Sequence, residues 1–412
     1  MSDGRARIRS LVATTPQGAS GNLAFVGDAS AGDYHFTYFP DAAEQAEISL
    51  AMPLRALQYT EKRLFPLFQM NLPEGYMLEL LRNRFAKTTH FDPMLLLALT
   101  GRESAIGRVA LHADGIDAET ETPTPLSTLL ANEGTGNLFK DLAQRYLLRT
   151  GISGVQPKLL VPVEAAEMHG KALVATSEFI VKAAGDLYPG LPVNEYICMS
   201  IAREAGIPVP EFHLSGDRKR FVMRRFDRTA EGRSLGFEDM AVLMNRAAED
   251  KYKGSYGNIA RLIGLYCAPG NVQRSLEQFF DQLALSCMLG NGDAHLKNFG
   301  LLYSHPAAND AALSPAYDIV CTTCYIPEDA LALTLSGTQS FFQARVDMGA
   351  FGREHCGIRD PGDRLFRLAE AAGKVLDRHE AMAAEVPGLL EALRRGIDLF
   401  ADTYGNDRNR HR

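Results

Sequence analysis

Apolar and polar residues alternate in short runs at the beginning of the chain, a pattern typical of β-strands. Residues 23–26 and 34–39 show it, bounded by the turn-forming pairs Gly27-Asp28 and Gly32-Asp33. Apolar residues then recur at helical spacing after Asn71 and across residues 92–99. Residues 1–112 are therefore predicted to form a small mixed α/β unit.

A segment rich in Asp, Glu, Thr, Pro and Gly follows at residues 113–139 and is predicted to be a linker or surface loop. Alternation then returns in four predicted strands, at residues 158–163, 177–182, 211–214 and 220–226. Helical spacing predicts helices at residues 194–205, 276–289 and 360–400. The pattern predicts an α+β chain with a strand-rich lobe at 140–236 and a helical lobe at 237–405, the bilobal arrangement of protein kinases.

Charge and composition limit the classes of function. The chain has 412 residues, with 43 basic and 50 acidic side chains and a formal charge of −7. This balance argues against strong nucleic-acid binding by the chain itself. One local run of basic residues is interpreted as a solvated strand edge, with a local basic patch as the alternative. It comprises Arg218, Lys219, Arg220, Arg224, Arg225 and Arg228.

No apolar run approaches the roughly 20 residues of a membrane helix, and the first residues lead into no apolar signal core. The six cysteines are scattered, as reduced thiols usually are. These observations predict a cytoplasmic protein without a membrane partner. Cys321 and Cys324 have C-x-x-C spacing but no second pair, and are interpreted as two buried small residues.

The stretch Asn-Gly-Asp-Ala-His-Leu-Lys-Asn at residues 291–298 carries the clearest chemical signal. It places Asp293 five positions before Asn298, and Tyr317-Asp318 follows about twenty residues later. Phosphoryl transfer from ATP needs one carboxylate to accept a hydroxyl proton, and an Asn and an Asp to hold magnesium. The Asp293–Asn298 spacing is that of a protein-kinase catalytic loop, although the usual His-Arg-Asp order is absent. Asp293 is thus the candidate base.

Two further residues of this stretch have candidate roles. Lys297 could neutralise the transferred phosphate, and His295 is either a structural histidine or a nucleotide contact. Asn-Gly-Asp is also a common turn sequence. A metal-hydrolase set of Asp293, His295 and Asp318 is the other alternative, but no H-E-x-x-H motif or second histidine ligand supports it.

A glycine-containing segment precedes the first strand of the second unit. Gly-Ile-Ser-Gly-Val-Gln-Pro-Lys at residues 151–158 would let backbone amides approach phosphate oxygens, although a plain β-turn explains it as well. It lacks the P-loop spacing. Lys182 ends the next strand and could reach the phosphates, and Glu195 could pair with it. The alternatives are a surface lysine and a first-turn helix acid.

In the order of the glycine loop, Lys182, the Arg-Phe-Asp-Arg segment at 225–228, the 291–298 stretch and Tyr317-Asp318, the chain resembles the HipA family of bacterial toxin kinases. Residues 48–54 and 68–75 extend the resemblance over the first unit. It implies a bilobal kinase-like core with a small N-terminal subdomain. The implied activity is an ATP- and magnesium-dependent serine/threonine kinase that arrests growth by phosphorylating an aminoacyl-tRNA synthetase or another translation protein.

The resemblance also implies a partner, an antitoxin of the HipB helix-turn-helix type through which the protein would meet DNA indirectly. Asp293 would be the catalytic base, and Asn298 and Asp318 would hold magnesium. The other residues implied to contact the nucleotide are Ser153, Gly154, Val155, Gln156, Pro157, Lys158, Lys182, Arg224, Arg225, Phe226, His295 and Tyr317.

One departure from the family pattern leads to a hypothesis about regulation. Family members often carry a self-phosphorylated serine at the start of the glycine loop, where this chain has Gly151. Ser153 is therefore the hypothetical modification site, because a phosphate there would repel nucleotide. Two other functions remain open: a small-molecule kinase with the same machinery, and a non-catalytic corepressor that acts by binding an antitoxin.

Overall fold

The computed structural model describes residues 7–27, 31–85, 91–102, 104–116, 122–131, 138–149, 156–164, 176–183, 185 and 187–408. Residues 151–155 of the glycine loop, including Ser153, Gly154 and Val155, lie outside the described residues. Among the residues that the structure describes, no helix is long and apolar enough to cross a membrane.

The first unit is an antiparallel five-stranded sheet, ordered β4-β3-β2-β1-β5, packed against short helices. Its strands are β1 (Ser10–Thr15), β2 (Gly18–Gly27), β3 (Gly32–Tyr38), β4 (Gln58–Glu61) and β5 (Ala110–His112). Its helices are α1 (Pro66–Gln69), α2 (Gly75–Phe85) and α3 (Pro93–Thr100). The α3 helix begins where the Asp92 carboxylate accepts the Leu95 amide at 2.9 Å, directly before Pro93. The strands and helices predicted for this unit are confirmed.

The predicted linker contains structure of its own. Helix α4 (Leu126–Leu130) lies within it, and α5 (Leu138–Arg145) follows. Leu129 is fully buried, and its carbonyl accepts a hydrogen bond from Arg220. The prediction of a plain linker missed α4 because its few leucines stand among turn-forming residues.

The strand-rich lobe is an antiparallel four-stranded sheet ordered β6-β7-β9-β8, covered by one helix of the lobe on one face and by α4 and α5 on the other. Its elements are β6 (Lys158–Glu164), β7 (Thr176–Ala183), α6 (Leu191–Glu204), β8 (Phe212–Leu214) and β9 (Arg220–Arg224). All four predicted strands are confirmed, although the last ends two residues early. Strands β6 and β7 pair in a register that sets Lys158 opposite Lys182.

The helical lobe contains a small antiparallel sheet, ordered β10-β11-β12, that the sequence did not predict. Its strands are β10 (Gly236–Asp239), β11 (Gly300–Tyr303) and β12 (Ala312–Leu313). They are too short for a period-2 pattern to be visible. The helices are α7 (Met240–Leu243), α8 (Tyr256–Tyr266), α9 (Val272–Met288), α10 (Phe341–Cys356), α11 (Pro361–Arg378), α12 (Glu380–Ala383) and α13 (Leu389–Arg408). The predicted buried helix is α9, which begins four residues earlier than expected.

The interpretation of the basic run as a solvated strand edge is confirmed for Arg218 and Lys219, which are exposed, and is wrong for Arg220 and Arg225, which are buried. Arg225 donates to the carbonyls of Ser104 and Ala105 at 2.7 Å each, and pairs with Asp227 at 2.7 Å. Arg225 therefore joins the first unit to the rest of the chain instead of lying on the surface.

A second buried contact joins the same two parts of the chain. The Glu238 carboxylate, on β10, accepts hydrogen bonds from the Ser49 hydroxyl at 2.6 Å and the Leu50 amide at 2.8 Å. The Gly107 amide likewise donates to Asp227 at 2.7 Å. Buried carboxylates are costly unless they are paired or hydrogen-bonded, so these contacts fix the docking of the first unit.

Candidate active site

Lys182 lies at the end of β7 with its ammonium group buried. Its Nζ donates to Glu195 Oε1 at 2.5 Å, because α6 packs behind the sheet and turns Glu195 toward the strand. The predicted pair is confirmed, and neither a surface lysine nor an exposed first-turn acid describes these residues. Burial opposes the charge on Lys182, but Asp318 and Glu195 outweigh it and raise the lysine pKa. Lys182 is therefore a fixed cation.

Asp318 brings a carboxylate to the same point. It lies in an irregular segment after β12, and its φ of 56° is in the left-handed region. Asp tolerates that region better than most residues. Its Oδ1 accepts a hydrogen bond from Lys182. Burial opposes ionisation, yet Lys182 and then Lys158 hold the pKa of Asp318 well below its usual value.

Lys158 is a second buried lysine near the Asp318 carboxylate. It is buried on β6, opposite Lys182, and burial lowers its pKa while Asp318 opposes that effect. Lys158 and Lys182, with Glu195 and Asp318 as their acidic partners, place two ammonium groups at one point, as the binding of a polyphosphate requires.

The 291–298 stretch is held rigidly at the end of α9. Gly290 has φ 66°, and a Cβ there would collide with Thr323, so glycine is required. The Gly292 amide donates to Thr322 Oγ1 at 2.7 Å, and the Thr322 amide donates to the Gly290 carbonyl at 3.0 Å. The segment that carries Asp293 is thus tied directly to the segment that follows Asp318.

Asp293 lies at the cleft surface, with 48% of its side chain exposed. Its Oδ1 accepts a hydrogen bond from the Tyr252 hydroxyl at 2.6 Å. Burial on its protein side raises the pKa of Asp293, the Tyr252 hydrogen bond lowers it, and the charge of Asp318 raises it. The negative charge of Asp318 thus opposes the ionisation of Asp293, as expected for two neighbouring carboxyl groups.

His295 and Asn298 support the same segment from inside. The Asn298 side-chain oxygen accepts the His295 amide at 3.1 Å and closes a short 3₁₀ turn, Leu296–Asn298. Burial, with Lys251 nearby, lowers the pKa of His295 to about 3, so the imidazole is neutral. The described residues contain no group of three or more His, Cys, Asp or Glu side chains that could hold a metal, which gives the hydrolase alternative no support there.

Lys297 contacts a residue of the first unit. Its Nζ lies 3.4 Å from Glu74 Oε1, at the start of α2, and its carbonyl accepts the Tyr317 hydroxyl at 2.7 Å. Sequence reasoning missed both Glu74 and Tyr252. Nothing in the local pattern marks them, because each meets its partner only through the tertiary fold.

The residues expected beside adenine have different surroundings. Arg224 is partly exposed and lies 3.6 Å from Glu211, while Phe226 packs on Tyr317 with ring centroids 5.2 Å apart. The Arg225 guanidinium is occupied by Asp227, Glu178 and backbone carbonyls. The Arg225 amide also donates to the Glu178 carbonyl at 3.0 Å, so the Arg225 carbonyl is what remains for a nucleotide contact.

The end of the glycine segment, at Gln156 and Pro157, lies beside the strand that carries Lys182. Gln156 Nε2 donates to the Ala183 carbonyl at 3.3 Å, and the Pro157 carbonyl accepts the Ala183 amide at 3.1 Å. These contacts anchor the segment beside the end of β7, next to Lys182.

Comparison with known proteins identifies the family. The HipA-like C-terminal domain model matches residues 150–386, and the HipA N-terminal domain model matches residues 13–112. The chain belongs to the HipA family. The matched relatives include "Putative kinase Y4dM" of Sinorhizobium fredii, 33% identical over 66% of this chain and 66% of the relative. A "Putative kinase" of Haemophilus influenzae is 30% identical over 42% of this chain and 53% of the relative. The chain thus spans between about half and about two thirds of these HipA-family relatives.

A solved structure supports the same conclusion for the fold. HipA of the Shewanella oneidensis MR-1 toxin–antitoxin system, in complex with HipB and operator DNA, has a TM-score of 0.69 and 20% identity. The match covers 96% of this chain and 97% of that one. The predicted α+β HipA-like fold is confirmed.

Proposed function

We propose that this HipA-family protein is an ATP- and magnesium-dependent serine/threonine kinase that acts as the toxin of a toxin–antitoxin module. One observation carries the proposal. Lys182, held by Glu195, contacts Asp318, and hydrogen bonds of Gly290 and Gly292 with Thr322 tie the Asp293 segment to the segment that follows Asp318. A fixed cation, an ionised acid and a half-exposed acid in one cleft are the parts that phosphoryl transfer requires. The curated relatives named as kinases support this reading.

The transfer step assigns a role to each group. Asp293, exposed to solvent on one side, accepts the proton of a serine or threonine hydroxyl. The hydroxyl oxygen bonds to the γ-phosphorus as the bond to the β-phosphate oxygen breaks, and ADP leaves. Lys158 and Lys182 face the phosphates from the sheet, and Lys297 stabilises the charge of the transferred group.

The residues present fit a magnesium ion. Asp318 is held ionised by two lysines, and Asn298 adds a side-chain carbonyl oxygen, the hard oxygen donors that this cation prefers. Magnesium, when bound, neutralises charge on the phosphate oxygens. His295 and Tyr317 line the same region, and the neutral imidazole adds no competing charge.

Two finer elements of the proposal concern regulation and partners. Phosphorylation of Ser153, which precedes Lys158 by five positions in the sequence, would add about −1.5 to −2 charge to the glycine segment and repel ATP phosphates. A HipB-type antitoxin is proposed as the partner because the Shewanella relative was solved with HipB and operator DNA. The proposed substrate is a translation protein such as an aminoacyl-tRNA synthetase, and DNA would be contacted through the antitoxin.

The test is expression of wild type and Asp293→Asn in cells, with growth measured and phosphorylated proteins identified by mass spectrometry. Wild type should stop growth and add phosphoserine or phosphothreonine to a cellular protein, and Asp293→Asn should do neither. The exposed Asp398→Asn is the matched control and should behave as wild type. ATP turnover that depends on Asp293 without any phosphoprotein would favour a small-molecule kinase. Antitoxin binding without turnover would favour a corepressor.

A further inference from the structure

Tyr252 makes the most direct contact that any described residue makes with the proposed base. Its hydroxyl donates to Asp293 Oδ1 at 2.6 Å, while 48% of the residue remains exposed. Its ring meets the His295 ring edge-on, with centroids 5.1 Å apart, and Lys251 Nζ lies 5.0 Å from the ring centroid. The phenol therefore lies in the cleft mouth and not in the core.

The hydroxyl is not needed to hold its loop in place. The Lys251 carbonyl accepts the Leu296 amide at 3.1 Å, on one side of Tyr252. On the other side, the Tyr256 amide donates to the Thr334 carbonyl at 3.0 Å and the Tyr256 hydroxyl donates to the Ala294 carbonyl at 3.0 Å. Backbone and neighbouring contacts thus fix the loop, and the Tyr252 hydroxyl is left to serve the carboxylate.

A hydroxyl that donates to Asp293 is also what the transfer step requires of the acceptor. A general base must lie within hydrogen-bond reach of the proton that it removes, roughly 2.6–3.2 Å between heavy atoms. The Tyr252 hydroxyl lies at such a distance from Asp293, in the place that a substrate hydroxyl would take. We propose that Tyr252 occupies the acceptor subsite when no substrate is bound, keeps water off the Oδ1 atom of Asp293, and is displaced by the substrate hydroxyl. This inference rests on the proposed function.

Tyr252 is suited to block the subsite rather than to react there. Burial, together with the Asp293 contact, raises the pKa of Tyr252, so the phenol keeps its proton. Exclusion of water from a closed site suppresses hydrolysis of a reactive group. A kinase whose base is exposed would otherwise hydrolyse ATP between encounters with its substrate.

The experiment measures ADP release from ATP and magnesium without any protein substrate. Wild type, Tyr252→Ala, Tyr252→Phe and the double variant Tyr252→Ala/Asp293→Asn are compared. Tyr188→Ala is the matched control, since Tyr188 is also a partly exposed tyrosine. Tyr252→Ala should hydrolyse ATP about tenfold faster than wild type, a small part of the roughly hundredfold or greater acceleration that a general base supplies. Tyr252→Phe, which keeps the ring, should fall between the two, and Tyr188→Ala should match wild type.

The double variant should return to the rate of Asp293→Asn alone, which shows that the added hydrolysis runs through Asp293. If wild type shows Asp293-dependent ADP release but Tyr252→Ala is no faster, the blocking role is overturned and the proposed function stands. A lower rate in both Tyr252 variants also overturns it, and makes Tyr252 a positioning residue for the base. Equal rates in Tyr252→Ala and in the double variant overturn both proposals.

Discussion

Lys182 and Asp318, 136 residues apart in the sequence, are joined by a hydrogen bond from the lysine ammonium to a carboxylate oxygen. The same ammonium group also donates to Glu195 Oε1. Without nucleotide, Lys182 thus neutralises the proposed magnesium ligand. In the proposed kinase, the phosphates pair with Lys182 and magnesium pairs with Asp318. We therefore expect phosphates and magnesium to bind together, because each supplies a new partner to one member of this ion pair.

We expect Asp318→Asn to lose the magnesium dependence of ATP binding. Asparagine tolerates the left-handed backbone of this position, so the change removes charge without strain. Affinity with magnesium should fall by about tenfold or more, in line with the loss of a charged ligand of a bound ion. Affinity without magnesium should not fall, because Lys182 is released. Calorimetric titration with and without magnesium measures both, and an unchanged response to magnesium would contradict the assigned role.

Glu195→Gln should weaken the hold on Lys182. The glutamate is buried and its charge-assisted hydrogen bond is 2.5 Å long. Its loss should lower the free energy of unfolding by about 1.5–3 kcal/mol and raise the KM for ATP. Urea unfolding and steady-state kinetics test this. In a double-mutant cycle with Lys182→Met, the two effects should be strongly non-additive, and simple additivity would show that the pair does not act as a unit.

The pH dependence of transfer should change in Tyr252→Phe. Asp293 must be ionised to act as a base, so kcat/KM falls as the pH drops through its pKa. Burial raises that pKa, and the Tyr252 hydrogen bond lowers it. Removing the hydroxyl therefore raises the pKa and moves the acidic limb of the profile to higher pH. Tyr188→Phe is the control and should leave the limb in place, and an unmoved limb in Tyr252→Phe would refute the assignment of Asp293.

Asp227→Asn should destabilise the docking of the first unit. Burial opposes the charge of Asp227, but Arg225 and Arg228 lower its pKa to about 2. A lowered carboxyl pKa stabilises the fold above the unfolded value of 3.8, and this stability is lost as the pH falls toward 2. The variant should lose about 3–5 kcal/mol at pH 7, as when one partner of a buried ion pair is removed. Denaturation at several pH values should show that the difference in the free energy of unfolding between wild type and Asp227→Asn decreases below about pH 4. The exposed Asp398→Asn should unfold with the same free energy as wild type.

Glu74→Gln should strengthen ATP binding slightly. Glu74 competes with phosphate for Lys297, but it is about one third exposed and the pair is long, at 3.4 Å. Exposed ion pairs contribute about 0.2–1 kcal/mol, so the affinity should rise by a factor of up to about five. The gain should vanish in a Lys297→Met background. A weaker affinity in Glu74→Gln would mean that Glu74 orients Lys297 instead of competing with phosphate.

The sequence predicted the elements with a clear period, and missed those whose stability comes from distant contacts. Residues 158–163 alternate clearly and form β6, whereas β10 has four residues and exists because it pairs with β11 more than sixty positions away. Lys182 and Glu195 could be paired from sequence because a strand and the next helix pack together. Arg225 was misjudged because charge pattern does not reveal that Ser104 and Ala105 supply buried carbonyls. Tyr252 could not be foreseen, since only the folded loop brings it to Asp293.

The first unit is held against the rest of the chain by the hydrogen bonds of Arg225, Asp227 and Glu238. These contacts do not depend on the polypeptide segment that connects the two parts. A protease cut just after β5 should therefore leave two fragments that copurify. Two genes encoding the halves should likewise reconstitute one particle when they are expressed together.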